Sequence, residues 1–242
     1  MKRLVVAVAL VALTVPAAVS GATQINIFAA ASLTNVLLRI GGNEHYSFAG
    51  SDQLALQLRQ GAPADVYAAA SPKYTQLLYR DGLLLKPAVF ATNKLIVLVP
   101  RSNPAKIRSV YDLRRPRIKV VVGDSTVPIG IYTRQILDTL GITADVGKNV
   151  VSQESDVKGI VSKIALNEAD AGFVYRTDAR PVAGHTRTIA LPAWAQPPIR
   201  YELAVVKAST HRAAAKAFVA KVLSKRGRLL LAKAGFGLPK RP

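Results

Sequence analysis

The chain has 242 residues, half of them apolar, with no cysteine and with 33 Lys and Arg against 14 Asp and Glu, a formal charge of +19. Without cysteine there is no disulfide framework and no thiolate metal site, so hydrophobic packing must hold the fold. The basic residues are spread along the chain and aromatics make up only 6%, which argues against nucleic acid as a partner, since such interfaces cluster positive charge with stacking rings.

Lys2 and Arg3 precede an apolar run from Leu4 to Val15, followed by the small residues Ala17, Ala18, Ser20, Gly21 and Ala22. That order predicts a cleaved secretory signal over residues 1–22, because the run is shorter than the roughly 20 residues that span a bilayer. The mature protein is then exported, to the periplasm or another extracytoplasmic space. With no cysteine to carry a lipid, it should diffuse freely. The charge stays strongly positive without Lys2 and Arg3, so it belongs to the mature chain, as a solvated surface or as a field that draws anions. About 220 residues remain, enough for one large domain or for two lobes of about 100 residues each.

From Gln24 to about Leu191 strands and helices alternate, which predicts parallel α/β layers. Residues 25–30 read as a strand, and Leu33, Val36, Leu37 and Ile40 then recur at helical spacing until Gly41 and Gly42. A short strand over 46–49 leads to a helix with Leu54 and Leu58 on one face, ended by Gly61 and Pro63, and a third strand covers 65–70. Residues 94–99 and 118–122 are β-branched, strongly apolar strands, and the basic, proline-bearing stretch between them (100–116) reads as surface connection. A helix over about 130–140 ends at Gly141. Val157, Ile160, Val161 and Ile164 mark another by their i, i+3, i+4, i+7 spacing, and 171–175 is a strand. A proline-rich break (Pro192, Pro197, Pro198) precedes a strand over 201–206 and a basic helical tail. The return of regular structure after this break predicts that the chain crosses back, giving lobe one as 23–92 plus 191–242 and lobe two as 93–190.

Four helix starts carry the chemistry. Ala29-Ala30-Ala31-Ser32 runs from strand to helix and puts Ser32 at the N-cap; Phe48-Ala49-Gly50-Ser51 does the same before the Leu54 helix. Pro128 in Val127-Pro128-Ile129-Gly130 sits in a first turn, where its missing N–H costs nothing, and Gly130 permits close backbone approach. Ser155-Asp156-Val157 opens the fourth helix. Each start alone is also an ordinary cap. A helix N-terminus, however, leaves unpaired N–H donors and a partial positive charge, so several converging ends can hold an anion without Lys or Arg. With two such ends in each lobe, the cleft between the lobes is a natural anion cage. A tetrahedral oxyanion with no proton only accepts hydrogen bonds, so its cage should offer only N–H and O–H donors, whereas monohydrogen phosphate needs an acceptor as well. Asp52, Asp124 and Asp156 are read as helix-start carboxylates that face backbone donors.

The segments INIFAAASLTNVL, FAGSDQLALQLRQGAPADVY, GDSTVPIGIYTRQILDTLGI, SDVKGIVSKIALNEADAGFVYRTDA and AGFGLP together resemble the periplasmic molybdate-binding proteins of ABC transporters, in the right order through nearly the whole mature chain. The resemblance implies a two-lobed type II periplasmic-binding-protein fold with two hinge strands and a ligand cleft between the lobes. It implies molybdate or tungstate as ligand, bound as the oxyanion without protein ligands to the metal, and a membrane permease as partner. The matching ligand positions are Ser32 and Ser51, through hydroxyl and amide, Ile129 and Val157, through backbone amides, and Tyr175, through its phenol. No cofactor and no catalytic group is expected, since His45, His185 and His211 lie in unrelated settings and no phosphate or dinucleotide loop is present; a monomer is expected. Two departures stand out. Ile129 replaces the alanine common in the family, which requires its side chain to point away from the ligand, and the link from Ile40 to Phe48 is shorter than usual. Sulfate, also without a proton, and an exported anion sensor without a transporter are the alternatives.

Overall fold

The computed structural model describes residues 24–239; the predicted signal lies outside them. Strand β1 (Asn26–Ala30) passes through a 3-10 turn (Ala31–Leu33) into α1 (Thr34–Ile40), β2 (His45–Ala49) into α2 (Ser51–Arg59), and β3 (Val66–Ala69) into α3 (Pro72–Arg80). Only Lys94 separates β4 (Ala88–Asn93) from β5 (Leu95–Pro100). There follow β6 (Val120–Gly123), α4 (Pro128–Thr139), α5 (Thr143–Gly147), β7 (Val150–Glu154), α6 (Val157–Ala165), β8 (Ala171–Tyr175), α7 (Arg176–Ala179) and β9 (Thr186–Ala190). The chain closes with β10 (Ile199–Val205), α8 (Arg212–Leu223) and α9 (Lys225–Ala234).

The strands form two five-stranded sheets, ordered β2-β1-β3-β10-β4 and β7-β6-β8-β5-β9. Among the described residues the chain passes from one sheet to the other at Lys94 and returns between β9 and β10. These crossings correct the expectation of parallel layers. β1 pairs parallel with β2 and β3, and β6 parallel with β7 and β8, but β10 runs antiparallel to β3 and β4, and β5 antiparallel to β8 and β9. A strand that enters from the other sheet arrives against the local direction, which a helical crossover within one sheet never does. The two crossing segments are tied together where they meet: Leu95 N–H donates to Gln196 Oε1 at 3.0 Å, and Gln196 Nε2 donates to Leu95 O at 2.7 Å. The only tryptophan, Trp194, sits on this return segment and is exposed.

Helix α6 illustrates how sequence spacing becomes packing. Val157, Ile160, Val161 and Ile164 are all buried, as their period predicts, and each full burial stabilises by roughly 1.5–3 kcal/mol. Helix α3 was not foreshadowed by the apolar pattern, although its start is encoded: Ser71 Oγ accepts from Lys73 N–H at 3.2 Å and Pro72 occupies the first turn. The connection over 100–116 carries a short 3-10 helix (Val110–Arg114), closed by a capping box between Ser109 and Asp112. The short link before β2 is braced by side chains. Gly42 N–H donates to Glu44 Oε2 at 2.5 Å, Tyr46 Oη donates to Leu37 O at 3.3 Å, and the Tyr46 ring stacks on Phe48 at 5.2 Å.

Candidate anion-binding site

The C-terminal ends of β1, β2, β3 and β8 and the starts of α4 and α6 converge on one small cavity between the two sheets. It is lined by Ala30, Ala31, Ser32, Ala49, Gly50, Ser51, Ala70, Val127, Pro128, Ile129, Asp156, Val157 and Tyr175. All five expected ligand positions are therefore brought together, from segments up to 143 positions apart, Ser32 to Tyr175. The cavity encloses about 210 Å³ of empty space, below the roughly 300–1,000 Å³ of pockets that take drug-sized ligands. Neither Lys nor Arg lines it.

The donors are prepared by their surroundings. The amides of Ser32, Ser51, Ile129 and Val157 lie in first turns, where no intrahelical carbonyl reaches them. Ser51 Oγ accepts from Ala70 N–H at 3.1 Å, and an amide can only donate, so the serine's own proton is left to point elsewhere. Ser32 Oγ lies 3.0 Å from Tyr201 Oη. Tyr175 Oη is buried and has no hydrogen-bond partner. Burial pushes its pKa well above the usual tyrosine value, helped by the neighbouring Tyr201, Tyr132 and Asp178, so the phenol keeps its proton and can offer it to an anion.

Two expectations about capping are corrected. Ser32 lies inside the 3-10 turn, whose N-cap is Ala30, and Ser51 is the first residue of α2, whose N-cap is Gly50; neither hydroxyl caps its helix. Both are turned sideways by nearer partners, Tyr201 and the Ala70 amide, on the strand and strand end beside them. Pro128 occupies the first turn of α4 as read from the sequence, and a Cβ on Gly130 would collide with the carbonyl of Asp124. Asp156 is a true N-cap: its Oδ1 accepts from Lys158 N–H at 2.6 Å and Gly159 N–H at 3.3 Å, leaving the Val157 amide uncapped. The Ile129 side chain packs against the bare Cα of Gly123 on β6, where a Cβ would stand 2.5 Å from its Cγ2, and joins the core. The larger residue is thus accommodated behind the cavity wall.

Asp52 and Asp124 stand apart from the cavity lining and meet at Thr126. Thr126 Oγ1 is 2.8 Å from Asp52 Oδ2 and 3.1 Å from Asp124 Oδ1, Thr126 N–H donates to Asp124 Oδ1 at 3.0 Å, and Tyr74 Oη donates to Thr126 O. Asp52 and Tyr74 belong to α2 and α3, Thr126 to the loop before α4, so these bonds join the two halves beside the cavity. Tyr201 and its neighbour Asn93 were not foreseen from the sequence. Their partners lie 169, 108 and 84 positions away, and no local pattern signals such pairing.

The model of a family described as bacterial extracellular solute-binding protein matches residues 25–237. A molybdate-binding protein from Mycobacterium tuberculosis, ModA, is 40% identical over 229 residues, which cover 90% of this chain and 86% of that one. The solved periplasmic molybdate-binding protein of Azotobacter vinelandii superposes with a TM-score of 0.80 at 20% identity, covering 90% of this chain and all of the other. The sulfate-binding protein SubI of M. tuberculosis reaches the same TM-score at 19% identity over 90% of this chain and 88% of its own; at such identities the likeness speaks for the two-lobed fold and not for the ligand. The two mixed sheets, the cavity between them and the match along nearly the whole described chain make this protein a member of the bacterial extracellular solute-binding proteins.

Proposed function

We propose that this protein captures molybdate or tungstate outside the cytoplasmic membrane and delivers it to the membrane permease of an ABC transporter. The observation that carries the reading is the donor-only cavity: four first-turn amides, two serine hydroxyls and an unpartnered phenol, with its one carboxylate, Asp156, engaged by backbone amides. A bare dianion would be costly to bury without such donors, and several charge-assisted bonds supply the roughly 8 to 12 kcal/mol of micromolar to nanomolar binding. In this reading Ser32, Ser51, Ile129, Val157 and Tyr175 hold the four oxygens. The lobes that close on them are 23–92 with 191–242, and 93–190. The likeness to proteins named for molybdate binding supports the choice of ion. The basic, apolar and small-residue order of the first 22 residues supports export. The protein works as a monomeric carrier without a cofactor and without catalysis.

Calorimetric titration of the mature protein with molybdate, tungstate, sulfate and phosphate tests this. Submicromolar binding of the first two with far weaker binding of the others is expected. Sulfate binding as tight as molybdate would overturn the choice of ion.

A further inference from the structure

Behind Ser32 lies a chain of buried polar groups that the cavity lining does not include. Asn93, at the end of β4 where the chain leaves the first sheet, and Tyr201, on β10 where it has returned, are both buried. Lys94 N–H donates to Asn93 Oδ1 at 2.9 Å. An amide N–H can only donate, so this bond fixes which end of the Asn93 side chain is oxygen and turns Nδ2 inward. Nδ2 then donates to Thr177 Oγ1 at 3.0 Å and to Tyr201 Oη at 3.4 Å. Tyr201 has one proton, and with Asn93 presenting only N–H to it, the remaining partner for that proton is Ser32 Oγ at 3.0 Å. Were Ser32 instead to donate to Tyr201, the phenol proton would lose its acceptor at 3.0 Å and be left with only the more distant Tyr175 hydroxyl.

We infer that Tyr201, oriented by Asn93 at the crossing between the sheets, is a positioning residue that forces Ser32 to act as a hydrogen-bond donor toward the cavity and thereby selects oxyanions that carry no proton. The backbone of Lys94 sets the direction of the whole relay: Lys94 N–H to Asn93, Asn93 to Tyr201, Tyr201 to Ser32, Ser32 to the ion. Ser51 reaches the same state in one step, through the Ala70 amide. Both hydroxyls therefore arrive with one lone pair engaged by a protein donor and their own proton free for the ion. A monoprotonated ion must place its proton against hydroxyls already turned to donate. This relay rests on the oxyanion reading of the cavity, and it assigns selectivity to residues that do not touch the ion.

Tyr201→Phe keeps the ring, which packs edge-on against Tyr175 and Phe236 at centroid distances of 5.8 and 5.4 Å, and removes only the hydroxyl. Titrations of wild type and variant with molybdate and with phosphate, at a pH where phosphate is a dianion that keeps one proton, read the effect. The expected result is molybdate binding weakened about tenfold with phosphate binding unchanged or tighter, so that the ratio between them falls. The same substitution in a Ser32→Ala background should change neither titration further, because Tyr201 acts through Ser32. Asn93→Asp offers Tyr201 an acceptor in place of a donor and should lower the ratio in the same direction; it carries the test if Tyr201→Phe proves unfolded by thermal melting. An unchanged ratio in the folded variants, including equal weakening for both ions, would overturn the relay while leaving the oxyanion reading intact. Wild-type protein that binds neither molybdate, tungstate, sulfate nor phosphate would overturn both.

Discussion

Two serine hydroxyls and one buried phenol carry most of what distinguishes this cavity from an ordinary junction of helix ends. Because Ser32 and Ser51 present charge-assisted donors, Ser32→Ala and Ser51→Ala should each weaken molybdate binding by about 1.5 to 3 kcal/mol in calorimetry; unchanged affinity in both would move the ion elsewhere. Asp178, just beyond β8, is fully buried and pairs with Lys158 Nζ at 3.0 Å. Burial pushes its pKa up to about 6, against the pull of Lys158 and of the Tyr175 backbone donor and with the repulsion of Asp156. A carboxyl whose folded pKa lies above its unfolded 3.8 binds its proton more tightly when folded. Its contribution to stability is therefore fully present below about pH 4 and is lost as pH rises through about 6. Denaturant unfolding of Asp178→Asn and wild type between those limits should show the difference, on the order of 1–3 kcal/mol, in favour of the variant at the higher pH; parallel stability curves would refute it. At this scale the sequence was informative about chemistry and silent about partners. Serine and tyrosine types at the five positions were legible through motif likeness, whereas Tyr201 and Asn93 were not, because only the fold brings β4 and β10 beside Ser32.

Among the elements, α6 shows how a helix start is shaped into a donor. Its N-cap Asp156 consumes the amides of Lys158 and Gly159 and leaves that of Val157 free for the cavity. Asp156→Ala should lower stability by about 1 kcal/mol and also loosen ligand binding, since the first turn is no longer held; thermal unfolding with and without molybdate separates the two effects. Helices with a clean apolar period, α4 and α6, were readable to within a residue or two. Strands with continuous apolar runs, β5 and β8, were equally plain. The edge strands β2 and β7, with half-exposed alternating residues, and α3, whose buried face is Tyr74, Thr75 and Leu78, gave weaker signals or none. The strand–helix alternation gave the parallel direction of β1 with β2 and β3 and of β6 with β7 and β8, but not that of the crossing strands. Antiparallel β5 and β10 follow from the crossings at Lys94 and after β9, a property of the whole path that no local period encodes.

For the whole molecule, the chain of the described residues crosses between the two sheets at closely paired segments, a layout that permits motion of one half against the other, and hinge closure is a recognised mode for such binders. Small-angle scattering of the mature protein should show a smaller radius of gyration with molybdate than without; identical profiles would argue against closure. The surplus of positive charge lies outside the cavity, whose lining contains no Lys or Arg, so no basic side chain contacts an ion held there. The bonds that gather at Thr126 add something of a different kind. Tyr74 and Asp52 reach across to it from α3 and α2 beside the cavity, so the halves are fastened to one another and not only through a shared ion. The time an ion remains inside is then governed by how often this fastening opens. Tight capture and rapid release become separable properties, since loosening Thr126 frees the ion without any competition for its site.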